Sequence, residues 1–220
     1  MLRRGEGIVQ KKEIKAALFD LDGVLVDSIK AWYHIFNDTL IHFGHRTLSR
    51  EEFSKGFGSP IEEDIKKYYE GRTVQEVEDE YNKNFKKRKS LVKIFPDSML
   101  VLEELERRKV KIALISNSSR FIVMKILRHF KIGKYFEAIV TMDDVNRRKP
   151  APDMPLKACD ILGVKPEEAV LIGDTINDIT SGKKAGCTTI GYAIEGDLKI
   201  NKLTELLDII VAENLTSTQK

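Results

Sequence analysis

Four aspartates stand in two pairs just past short apolar runs, Asp20 and Asp22 in Phe19-Asp20-Leu21-Asp22-Gly23 and Asp174 and Asp178 in Gly173-Asp174-Thr175-Ile176-Asn177-Asp178. Carboxylates two apart on a continuing strand would face one side and repel, so a cation between them is expected. Magnesium suits the donor set, being held as a rule by one or two carboxylates together with phosphate oxygens. Each pair has a plain alternative: Asp-x-Asp-Gly opens turns, and an aspartate in a first helical turn caps it. Two further segments fit an anion instead. Ile115-Ser116-Asn117-Ser118-Ser119 offers hydroxyls and N–H groups ahead of a helix, and Lys149 precedes the stiff Pro150-Ala151-Pro152 step. Ser and Asn are also ordinary helix caps and a loop lysine is usually solvated, but a lysine held beside several carboxylates can serve as their counter-charge.

The elements that must position these groups follow from periodicity. Apolar runs at 14–21, 111–116, 138–141 and 169–173 read as buried parallel strands, each ending in polar or glycine residues; 188–192 is a fifth candidate, and 208–211 is either a sixth strand or a helix end. Helical spacing marks 98–108, 120–130, 152–162 and 177–185. Strands alternating with helices predict an α/β, Rossmann-like, mostly parallel sheet with helices on both faces, whose ligands sit beyond the carboxyl ends of the strands. Residues 28–93 break the alternation with several helix patterns, too many for one crossover. The expected organisation is a core of residues 1–26 and 95–220 with an inserted α-helical cap at 27–94.

Composition narrows the class. The chain has 220 residues, 42% hydrophobic and 32% charged with a formal net charge of +3, which describes a globular protein with a charge-mixed surface. No basic stripe interleaved with aromatics supports nucleic-acid binding, and no stretch has the length of a membrane span. A cytoplasmic protein is expected. Cys159 and Cys187 are too few for a disulfide scaffold and are expected to be buried.

In order along the chain, Asp20-Leu21-Asp22-Gly23-Val24-Leu25-Val26-Asp27-Ser28, Ser116-Asn117, Lys149-Pro150-Ala151-Pro152-Asp153 and Gly173-Asp174 with Asp178 resemble the motifs of the haloacid dehalogenase (HAD) superfamily of phosphotransferases. The helical insertion resembles the cap of the branch containing phosphoglycolate phosphatase and β-phosphoglucomutase. The resemblance implies that Asp20 is the nucleophile and Asp22 the general acid and base. Ser116, Asn117 and Lys149 would bind phosphate. Magnesium would be held by the Asp20 carboxylate, the Asp22 backbone carbonyl, Asp174 and Asp178. It further implies a phosphatase acting on a small, phosphoglycolate-like monoester, with a sugar phosphomutase or a pyrophosphatase as alternatives and a non-catalytic binding module as the reading from another class. The phosphorylated metabolite is the expected partner, of a monomer or homodimer. The Gly56-Phe57-Gly58-Ser59 loop is where substrate contacts are expected, although it also resembles a helix start. Two departures stand out: Arg148 takes a place where relatives often have glycine, and Trp32 takes the place of a histidine typical of the mutases.

Overall fold

The computed structural model describes residues 13–210. Its main sheet has six parallel strands in the order β5-β4-β1-β6-β7-β8, with β1 at Ala16–Phe19, β4 at Lys111–Ser116, β5 at Ala138–Thr141, β6 at Ala169–Gly173, β7 at Thr188–Tyr192 and β8 at Leu198–Ile200. Every residue of β1 and β6 is buried, so both faces of the sheet are covered. This is why these segments read as unbroken apolar runs rather than alternating ones. Helix α7 (Asp153–Leu162) packs on β1, β4 and β5 and on α8 (Ile176–Ala185), which covers β6 and β7; α5 (Pro96–Arg107) packs on β4, and α6 (Arg120–Phe130) follows it.

The chain leaves β1, builds outward through β4 and β5, and returns to β6 on the other side of β1. That reversal is the switch point at which a doubly wound sheet opens a crevice. Register sets the level of the strand tips: Phe19 pairs with both Leu114 and Ile172, so Asp20 emerges level with Ile115 and Gly173, and Ser116 and Asp174 follow one residue further on.

Between β2 (Val26–Asp27) and β3 (Lys93–Ile94), which pair antiparallel, lie α1 (Ile29–His42), α2 (Arg50–Ser54), α3 (Ile61–Tyr68) and α4 (Val74–Arg88). Ser49 with Glu52 and Thr73 with Glu76 form capping boxes that start α2 and α4, satisfying N–H groups that have no partner within the helix. An aromatic cluster holds the helices together, with Phe36 at ring-centroid distances of 5.7 Å from Phe53, 5.4 Å from Tyr69 and 6.0 Å from Tyr81.

One open reading is resolved and one expectation needs correction. Residues 205–210 are helical, and Val211 lies outside the described residues. The sixth strand is instead β8, two of whose three residues are exposed, so no apolar run announced it. The first strand is also shorter than 14–21, because the chain turns immediately after Phe19. Both cysteines are buried as expected. Among the described residues, no helix is long and apolar enough to cross a membrane.

Candidate active site

The site begins where β1 ends. Asp20 N still donates to Ile172 O at 2.9 Å, but Gly23 N then donates to Val26 O at 2.8 Å and the chain folds back on itself. Strand geometry therefore does not persist to Asp22, and the two carboxylates part. Asp20 faces Lys149, whereas Asp22 Oδ1 accepts from Ser28 Oγ at 2.5 Å and Trp32 Nε1 at 3.1 Å, and its Oδ2 accepts from Ser118 Oγ at 3.0 Å. The repulsion expected of a shared face is relieved by this divergence.

Lys149 is the hub of the floor. It is 3% exposed, and its Nζ donates to Asp20 Oδ1 and Asp178 Oδ1, each at 2.6 Å, and to Ile115 O at 3.3 Å. Burial works against its charge, but Asp178 and Asp20 outweigh burial and the pKa is raised, so the ammonium persists. Asp178 serves two purposes at once: Oδ1 meets Lys149, while Oδ2 accepts from Thr175 N and Oγ1 in the capping box of α8. Capping and charge pairing, which the sequence offered as alternatives, are both realised.

Asn117 clamps the lysine loop. Its Nδ2 donates to Lys149 O and its Oδ1 accepts from Lys149 N, both at 3.0 Å, so its side-chain amide is spent on the backbone of Lys149. Ser116 is 1% exposed, and its Oγ accepts from Ser118 N at 3.1 Å. Asp20, Asp22, Ser116, Asn117, Lys149 and Asp178 all line one cavity of about 110 Å³.

The carboxylates fit a hard cation. One oxygen from each of Asp20, Asp174 and Asp178 lies within 4.8 Å of the others, and Asp174 Oδ1 is buried without a hydrogen-bond partner. Burial and nearby Asp178 push Asp174 up to about 7. Burial, opposed by Lys149 and reinforced by Asp178, Asp174 and Asp22, raises Asp20 well above the carboxylate range. Such a cluster gains from a positive ion that favours its ionised form. The Asp22 carboxylate lies outside this group. Two glycines make the approach possible: a Cβ on Gly23, whose φ is +84°, would lie 1.9 Å from Asp174 Oδ2, and one on Gly173 would lie 2.1 Å from Asp178 Cβ.

The cap supplies the roof. Gly56, Phe57, Gly58 and Ser59 all line the cavity, and Asn177 Nδ2 donates to Gly58 O at 3.1 Å, tying this loop to the start of α8. Arg148 Nη1 reaches Glu62 Oε1 of α3 at 2.6 Å, a second tie between the cap and the core. The basic run 86–89 does not line the cavity; Lys86 and Lys87 are exposed, and Arg88 pairs with Asp38. Ser28, Ser118 and Trp32, the donors to Asp22, carried no assigned role in the sequence: the two serines stand within the motif segments, and Trp32 stands where a histidine was expected.

A family model described as haloacid dehalogenase-like hydrolase matches residues 17–192. The chain belongs to this family. This HAD hydrolase is 31% identical over 210 residues to the pyrophosphatase PpaX of Halalkalibacterium halodurans, covering 90% of this chain and 97% of the relative. It is 32% identical over 189 residues to a phosphoglycolate phosphatase of Aquifex aeolicus, covering 86% and 88%. The crystal structure of CbbY from Rhodobacter sphaeroides in complex with phosphate superposes with a TM-score of 0.78 at 23% identity, covering 88% of this chain and 96% of that one, a likeness of fold. The chain is thus a HAD-type enzyme of the phosphatase kind.

Proposed function

We propose that this HAD hydrolase is a magnesium-dependent phosphatase that cleaves a small phosphate monoester through an aspartyl phosphate on Asp20. The observation that carries the reading is the shared ammonium of Lys149, 2.6 Å from both Asp20 and Asp178, at the floor of a cavity that also holds Asp22 and Ser116. An aspartate attacking a phosphate dianion brings two anions together, and neutralising them is the main task of such a site.

Asp20 Oδ1 is engaged by Lys149, which leaves Oδ2 to attack phosphorus as the ester oxygen departs. Asp22 gives a proton to that oxygen, then takes one from the water that opens the aspartyl phosphate, restoring Asp20 and releasing phosphate. Its donors Ser28, Trp32 and Ser118 hold the carboxylate in place for both transfers. Lys149 and Ser116 receive the phosphoryl oxygens, and Asn117 positions the lysine through its backbone. Magnesium would be held by Asp20, Asp174 and Asp178 with the Asp22 carbonyl, and when bound supplies charge neutralisation for the transferring group.

Trp32 favours hydrolysis over phosphomutase chemistry. Indole Nε1–H only donates, so a tryptophan in the place of the mutase histidine cannot exchange protons with Asp22. His34 lies against the Tyr33 ring and does not line the cavity. The relatives' names divide between pyrophosphate and phosphoglycolate, which leaves substrate choice to the cap lining. In a panel of phosphorylated metabolites, wild-type protein is expected to release phosphate only with magnesium, and a quenched reaction to show a phosphate-mass increment on the peptide bearing Asp20. Full turnover after exhaustive chelation, or isomerised sugar phosphate without free phosphate, would end the proposal.

A further inference from the structure

We infer that the leaving group this cavity accepts is an uncharged alcohol, so that esters whose far end carries a carboxylate or a second phosphate are disfavoured. The inference rests on the phosphatase reading and deepens it by naming the substrate class.

The floor holds paired charges, and the roof combines unpaired acids with aromatic rings. Among the described residues lining the cavity, Lys149 is the one lysine or arginine, and its ammonium already sits between Asp20 and Asp178. The cap wall adds two carboxyl groups, Asp64 and Glu78, together with aromatic rings including Trp32, Phe57 and Tyr68. Burial raises Asp64 to about 8, the Tyr81 hydroxyl 3.4 Å away opposing it weakly, and burial with Asp143 nearby raises Glu78. A carboxylate brought into this wall would meet carboxyl groups and ring faces with no cation to answer it. A hydroxyl-bearing or apolar group meets an acid that can exchange hydrogen bonds with it and rings that can cover it.

The basic groups beside the wall are committed elsewhere. Lys67 Nζ lies over the Tyr68 ring, 4.9 Å from its centroid, and Arg148 pairs with Glu62. Neither lines the cavity. The same lack of cations that disfavours phosphoglycolate also disfavours pyrophosphate, whose leaving group is itself a phosphate.

The test compares hydroxyethyl phosphate with phosphoglycolate, which share a skeleton and differ in a hydroxymethyl against a carboxylate. Each is titrated by calorimetry into full-length Asp20→Asn protein with magnesium, where binding is read without turnover. The neutral ester is expected to bind at least about tenfold more tightly. Phosphoglycolate or pyrophosphate binding as tightly as the neutral ester overturns the inference, as does no detectable binding of the neutral ester. Phosphate release by the wild type is measured separately: its absence for every ester overturns the phosphatase reading, whatever the binding order.

Discussion

The floor and the roof of the cavity are built on different principles. On the floor, the charged groups are locked to one another: Lys149 to Asp20 and Asp178, Asp178 to Thr175, and the Lys149 backbone to Asn117. In the roof, rings meet edge to face, Trp32 with Tyr81 at 5.7 Å and Phe36 with Tyr68 at 5.3 Å, around the carboxyl of Asp64, which accepts from the Tyr81 hydroxyl. The floor hangs from strand tips whose register is fixed by the sheet, while the roof hangs from a two-stranded ribbon, β2 with β3, and a few side-chain ties. On the proposed reading, chemistry that tolerates little displacement sits on the strand tips, and selection sits on the part that can be rebuilt without disturbing them.

Breaking the floor should cost most. Lys149→Met strands two buried carboxylates, so phosphate release should fall by roughly a thousandfold or more, and stability in a urea titration by about 3–5 kcal/mol. Retained activity would show that the ammonium is not the counter-charge. Gly23→Ala pushes a methyl into Asp174, and the magnesium concentration for half-maximal hydrolysis should rise about tenfold or more. Asn117→Ala removes both hydrogen bonds that place the lysine loop; kcat should drop about tenfold with KM little changed.

Changes in the roof should act on stability and selectivity before kcat. The folded pKa of Asp64 lies above its unfolded value, so the folded state holds the extra proton and this group's contribution to stability declines as pH rises from about 4 to about 8. Asp64→Asn should flatten that decline in melting scans across the range. An equally steep fall in the variant would assign it to other groups. Smallest of all, Glu62→Gln breaks an ion pair whose glutamate is exposed, and should shift stability by less than about 1 kcal/mol while raising KM modestly at constant kcat.

Much of the floor was legible because motif and strand end coincide. Asp20, Ser116 and Asp174 each follow an apolar run, and a parallel sheet places such ends on one edge. The helices were equally readable, 120–130 matching α6 residue for residue. What was harder to read lacked a local pattern: β8 is mostly exposed, and Trp32 stood out only as a departure until α1 brought its indole onto Asp22.

Residue order alone determined the doubly wound sheet, the interrupting helices and the identity of the acidic groups, since these rest on periodicity and on turn chemistry a few residues long. Only the tertiary structure decided that Asp20 and Asp22 part company, that Asp178 both caps α8 and meets Lys149, and that the roof carries carboxyls instead of cations. Those outcomes depend on segments far apart in the chain, Lys149 being 129 residues from Asp20, and contacts across such separations are set by packing and register rather than by any neighbour in sequence.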